Sequence, residues 1–279
     1  MSRYKKSRRG IITPQGAFVV AAIVIVLLLA SMIKAAGDSQ AAEAVTIDST
    51  ANLEYVVLPP ATSNDNIAYT GFTVGFNPDK HQPNYVAWTL TAEHTDGPHT
   101  RKGVSFMPDP DVEGSAQLAD YRNSGFDRGH MAPAADMKWS RQAMTDCHYL
   151  TNICPQSDQL NGKAWAKLES MTRAWAQRFG RVVIVAGPVL TDRLTRTIGA
   201  TGIPVPERFY KVILAPDADP PMGIAFIMPN GYVSGGVQQT AASIDQVETI
   251  TGIDFFPALP DDIENRIEAQ NSLAQWTVH

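Results

Sequence analysis

The chain has 279 residues, 44% of them hydrophobic and 8% aromatic, with two cysteines and a formal charge of −5. Such a length supports one substantial core, so one globular domain with extensions is expected. The first 34 positions hold six of the 23 basic residues and no acid; the remainder carries 17 basic against 28 acidic groups, which excludes a uniformly basic surface that coats nucleic acid.

Residues 1–15 open with the basic MSRYKKSRRG, and residues 16–33, GAFVVAAIVIVLLLASMI, contain no charge. As a helix this run spans roughly 27 Å, close to the hydrocarbon thickness of a bilayer. It exceeds the apolar core of about 7 to 15 residues of a cleaved signal peptide, so it predicts an uncleaved transmembrane anchor. The basic flank predicts a cytoplasmic N-terminus and places everything after the span outside the cytoplasm, periplasmic or extracellular. Residues 34–65, rich in Ala, Ser, Thr and Asp with a Pro pair, read as a linker.

The domain is expected over 66–262. YTGFTVGFNPDKHQPNYVAWTLTAEH predicts two antiparallel strands from its β-branched and aromatic density around Gly and Pro breaks. SRQAMTDCHY predicts a short helix capped by Ser140, and YLTNICP a strand. LNGKAWAKLESMTRAWAQRFG is the strongest helix, with Ala164, Leu168, Met171 and Trp175 on one stripe and Gly180 as its stop. RVVIVAGPVL, RFYKVILAP and GIAFIMPN predict core strands. The class is α+β, a mixed or antiparallel central sheet flanked by helices. Residues 263–279 predict an amphipathic helical tail. Were the stretch between Cys147 and Cys154 extended, their Cα atoms would lie roughly 23 Å apart, which predicts free thiols; no Cys/His spacing points to a structural zinc site.

The chemistry gathers at GFDRGHMAP, where Asp127, Arg128, Gly129 and His130 adjoin. A neutral imidazole, with an ordinary pKa near 6.5, can take a proton from water around pH 7 to 8. Gly129 removes bulk and would let a substrate approach the backbone. Arg128 either pairs with Asp127 in solvent or grips phosphate with its planar fork. Downstream, Asn161 starts the strong helix, and Glu169 follows on the same broad side, leaning back toward it. Their Cα atoms would be about 12 Å apart by helical rise, so sharing one ion requires a bridging water. A neutral Asn oxygen suits magnesium, which keeps several waters. Read singly, Asn161 is equally an N-cap and Glu169 an exposed helical acid.

The run from Asp120 to Glu169, DYRNSGFDRGHMAPAADMKWSRQAMTDCHYLTNICPQSDQLNGKAWAKLE, closely resembles the DNA/RNA non-specific endonuclease family, the endonuclease G-like ββα-metal nucleases. The resemblance implies a ββα-metal fold and a hydrolase that cuts DNA and RNA with little sequence preference, leaving 5'-phosphates. It implies His130 as the general base and Asn161 as the protein ligand of a hydrated magnesium, with manganese as the alternative ion. Glu169 would hold the metal's waters, Arg128 the scissile phosphate, and Asn152 would order the site and contact substrate, while Asp127 fixes the turn. Family members also carry a basic residue ahead of the motif, for which Arg101 in RKGVSFMPDP is the nearest match. Partners expected are DNA and RNA, the membrane through residues 16–33, and a second copy in a homodimer. The competing readings are a catalytically inactive surface module for nucleic-acid binding or uptake, and a phosphodiesterase for small or lipid substrates.

Overall fold

The computed structural model describes residues 66–277, other than 192 and 194, and the backbone of residues 56–57. The basic segment 1–15, the apolar run 16–33 and nearly all of the linker lie outside the described residues.

The central sheet is built from Asn66–Ala68 (β1), Thr73–Asn77 (β2) and Gln82–Thr91 (β3), then, after an excursion that carries the site, from later strands. The excursion holds a separate antiparallel pair, Asp127–His130 (β4) and Ile153–Gln156 (β5). The sheet is completed by Arg181–Pro188 (β6), Arg208–Ala215 (β7), Met222–Pro229 (β8) and Ala241–Ala242 (β9). Its order is β9-β8-β7-β6-β3-β2-β1, every pairing antiparallel.

β6 and β7 are buried along nearly their whole length, which is why they read as largely apolar runs, broken in β7 by Lys211: both faces are covered. The helices are Leu118–Tyr121 (α1), Arg141–Asp146 (α2), Ala166–Phe179 (α3), Ile244–Thr251 (α4) and Asp261–Glu268 (α5). On one face of the sheet Phe226 stacks with Trp175 of α3, ring centroids 6.1 Å apart. On the other, Tyr210 meets Phe255 at 5.8 Å, beside α4. Trp175 is 2% exposed, and truncating such a residue to Ala costs about 3–5 kcal/mol.

Three elements depart from the sequence expectation. Only Ile153–Gln156 of YLTNICP is strand; Leu150–Asn152 forms a 3-10 turn, where the Asn152 side chain donates to the carbonyls of Ala132 and Cys147. The strong helix begins with a π-helical stretch, Leu160–Trp165, and becomes α-helical only from Ala166. Such wide turns are rare and recur at functional sites. The tail is two pieces, α5 and a 3-10 turn at Leu273–Trp276, the latter docked where the Trp175 indole donates to the Trp276 carbonyl at 2.6 Å. Ser140 does cap α2, accepting from the Ala143 amide, and Gly180 ends α3 at φ 86°. Cys147 and Cys154 are free and buried.

Candidate active site

β4, β5 and the π/α3 helix form a compact ββα unit. Register pairs Asp127 with Gln156, Arg128 with Pro155, Gly129 with Cys154 and His130 with Ile153. The Trp165 indole donates to the His130 carbonyl at 3.2 Å, tying helix to strand. Asn230, just beyond β8, fixes the unit to the sheet: it accepts from the Ser157 amide and donates to the carbonyls of Pro155 and Pro206.

A cleft of 560 Å³ opens over this unit, and Arg101, Asp127, Arg128, His130, Asn161 and Glu169 all line it, as do His99 and Lys138. The residues proposed from sequence therefore converge, apart from Asn152. That residue is 0% exposed, donates to the carbonyls of Ala132 and Cys147, and accepts from the Ala132 amide. Its amide is consumed internally, so the expected substrate contact is corrected: Asn152 shapes the turn after His130.

Gly129 is corrected likewise. It is buried, and a Cβ there would lie 2.1 Å from the Gln156 side-chain oxygen. The glycine makes room for Gln156 rather than for a substrate. Asp127 does more than shape a turn: its Oδ2 accepts from the Asn161 amide nitrogen at 3.0 Å. That bond fixes which end of the Asn161 amide is occupied and leaves its oxygen available.

His130 is half-buried, against Phe106 at 5.1 Å and edge-on to His148 at 5.0 Å between ring centroids. Burial, followed by His148 and the charges of Arg101 and Arg128, lowers its pKa to about 3, so the imidazole stays neutral across the physiological range. Its Nε2 is buried without a hydrogen-bond partner. The exposed Arg128 lies over Phe106 at 4.6 Å, which braces the guanidinium while its edges face solvent.

Glu169 is half-buried, and burial raises its carboxyl to about 7 against the pull of Lys211. Lys211 is 1% exposed, its ammonium 4.5 Å from the Trp165 ring and 5.2 Å from that of Trp88. Burial lowers the Lys211 pKa while Glu169 and Asp136 oppose that. Asp136 in turn binds Arg173 at 2.9 Å and the Trp88 indole at 3.1 Å. Sequence reading passed over Phe106, His148 and Lys211. Only for Lys211 was a signal present: a cation in the middle of a strand whose other residues after Arg208 are apolar or aromatic.

The donors facing the cleft fit a hard cation. Asn161 offers an amide oxygen whose nitrogen is already engaged, and Glu169 offers a carboxylate, the oxygen chemistry magnesium or manganese takes while keeping water.

The family model for DNA/RNA non-specific endonuclease matches residues 49–262. "Nuclease EXOG, mitochondrial" of Danio rerio is 35% identical over 72% of this chain, and "Endonuclease G, mitochondrial" of Homo sapiens 31% identical over 67% of it. Nuclease C1 of Cunninghamella echinulata is 32% identical, the match covering 72% of this chain and 86% of that protein. The chain spans 63% of the Danio EXOG protein and 61% of its Xenopus laevis counterpart, under two thirds of each. The solved EndoG/EndoGI complex matches with a TM-score of 0.66 at 26% identity, covering 71% of this chain and 89% of that one.

One expectation is overturned here. The single-pass, membrane-anchored placement with a periplasmic or extracellular catalytic domain does not accord with relatives that are mitochondrial nucleases. Among the described residues no helix is long and apolar enough to cross a membrane, and the 16–33 run lies outside them.

Proposed function

Because this chain belongs to the DNA/RNA non-specific endonuclease family, we propose that it is a magnesium-dependent endonuclease that hydrolyses phosphodiester bonds of DNA and RNA, its catalytic domain spanning residues 66–262. The supporting observation is the convergence of His130, Arg128, Asn161 and Glu169 on one cleft, with the Asn161 amide oriented by Asp127.

The neutral His130 imidazole takes a proton from water as its oxygen attacks phosphorus in line. The bond from phosphorus to the 3' oxygen breaks, that oxygen takes a proton from solvent water, and the phosphate stays on the 5' side. Arg128 grips the non-bridging oxygens with a guanidinium that stays charged. Asn161 would hold magnesium directly and Glu169 through water; manganese fits the same donors. When bound, the metal neutralises charge on the phosphate and on the departing oxygen. His99, Arg101 and Lys138 extend the basic rim along the backbone, and phosphates being alike at every step, sequence matters little.

The test is plasmid DNA and total RNA incubated with the protein in magnesium or in EDTA, beside His130→Ala and Asn161→Ala. Both substrates should be cut only with metal, and His130→Ala should lose about 10²- to 10⁴-fold. Undiminished cutting by either variant, or cutting in EDTA, would refute the mechanism. Binding of both polymers without cleavage would leave the chain a binding module, and inactivity on both would point to small substrates.

A further inference from the structure

The described residues hold a second cluster of metal-binding groups, set against the catalytic histidine and distinct from the Asn161 and Glu169 oxygens. His130, Cys147 and His148 each place one ligand atom so that all three lie within 4.8 Å of one another. Cys147 and His148 are both 0% exposed. No linear motif announces the cluster, because His130 comes from β4 while its partners follow α2.

Two independent features suit these groups to a cation. The Nε2 atoms of His130 and of His148 are both buried and lack any hydrogen-bond partner, an arrangement that costs free energy unless something fills it. His148 Nδ1 meanwhile donates to the Met144 carbonyl at 2.8 Å, which puts its proton on that nitrogen and leaves Nε2 as the lone pair. A metal-bound histidine usually has its far N–H held in this way by a backbone carbonyl or a carboxylate. The Cys147 sulfur lies 3.4 Å from His148 Nδ1 and donates to the same Met144 carbonyl at 3.2 Å, a bond that is given up when the sulfur takes the metal.

We propose that His130, Cys147 and His148 form a binding site for a soft divalent cation, zinc, whose occupancy switches the nuclease off. Two imidazoles and one thiolate with an open fourth position match zinc and not magnesium. Tetrahedral bonds of about 2.0–2.3 Å set donors roughly 3.5 Å apart, so the three side chains close by about 1 Å on binding. Burial raises the Cys147 thiol to about 12, so the empty site holds a thiol. Zinc breaks the S–H bond, the sulfur takes the metal and the proton passes to solvent. Arg101 and Arg128 stand nearby and oppose a cation; the new thiolate offsets one of those charges.

Inhibition follows from the single lone pair of a neutral imidazole. With one His130 nitrogen on zinc the other carries the proton, and the ring can no longer accept one from water. This consequence rests on His130 being the base; the metal site does not.

The experiment has two arms on the full chain, with Cys147→Ser and His148→Phe as variants and circular dichroism to verify folding. In the first, cobalt(II) is titrated as a spectroscopic stand-in for zinc. The wild type should take up one ion with an intense sulfur-to-cobalt charge-transfer band that Cys147→Ser lacks. In the second, zinc is titrated into cleavage assays at saturating magnesium. Half-inhibition should need at least about tenfold more zinc in each variant, measured against that variant's own zinc-free rate. No thiolate band, or zinc inhibiting both variants as strongly as the wild type, overturns the proposal; the latter would place inhibitory zinc at Asn161. Should the protein cut nothing, the cobalt arm still decides the site.

Discussion

If Asn161 holds magnesium as proposed, its hydrogen bond to Asp127 decides which atom of its amide meets the metal. At 3.0 Å from a carboxylate it is charge-assisted, and such bonds contribute about 1.5–3 kcal/mol. Asp127→Ala removes the acceptor and frees the Asn161 amide to turn, so that its NH₂ faces the cleft as readily as its oxygen. At about 1.4 kcal/mol per tenfold, the loss corresponds to roughly 10- to 150-fold in magnesium affinity, in line with the 10- to 100-fold usual for groups that orient a ligand. The assay is the initial rate of plasmid cleavage against magnesium concentration. Half-saturation should move up by about 10- to 100-fold while the rate at saturating metal stays within a few-fold of wild type. A collapsed maximal rate at unchanged half-saturation would refute the reasoning and place Asp127 in the chemical step.

Gly129→Ala forces a methyl into the buried space held by the Gln156 side chain; an overpacking cost of about 1–3 kcal/mol should lower the thermal midpoint, and adding Gln156→Ala should return part of it. An unchanged midpoint for the single variant would mean that the close approach is not there. Arg101→Ala, at the rim of the cleft, should weaken polymer substrates generally and reduce the slope of log KM against log salt by about 1. Glu268, 8% exposed, has its carboxyl raised to about 8, first by burial and then by the charge of Glu248. Its folded pKa lies above the unfolded value, so the stability of the protonated form is complete below about pH 4.5 and drains away as the pH rises to 8. Glu268→Gln should therefore gain thermal midpoint over wild type progressively across that window in EDTA, and a pH-independent difference would contradict the assignment.

Elements whose signal is local were legible. The runs in β6, β7 and β8 could be read as strands because both faces of the sheet are covered, and the stripe of Leu168 and Trp175 as helix because α3 packs on one of those faces. The π-helical stretch at Leu160–Trp165 was not, since residues 160–165 continue the same apolar spacing that α3 shows. The division of labour within DRGH depends on partners far along the chain. Asp127 meets Asn161 34 residues away, and Gly129 is occupied by Gln156 from the facing strand.

The rule that separates those four residues is nevertheless elementary. In a strand, alternate side chains share a face. Arg128 and His130 both lie against Phe106, whereas Asp127 pairs in register with Gln156, the residue that fills the space beside Gly129. On the proposed mechanism, positions 128 and 130 work on phosphate and water, and the two that alternate with them, 127 and 129, serve the scaffold around Asn161 and Gln156. Had the quartet been taken as strand and not as a turn, alternation would have assigned Asp127 to support Asn161 and removed the substrate from Gly129. What alternation cannot supply is His148, which meets His130 edge-on where the Asn152 amide, donating to the carbonyls of Ala132 and Cys147, ties the two chain segments together. A residue expected to touch substrate instead ties the segment after His130 to the one that carries His148.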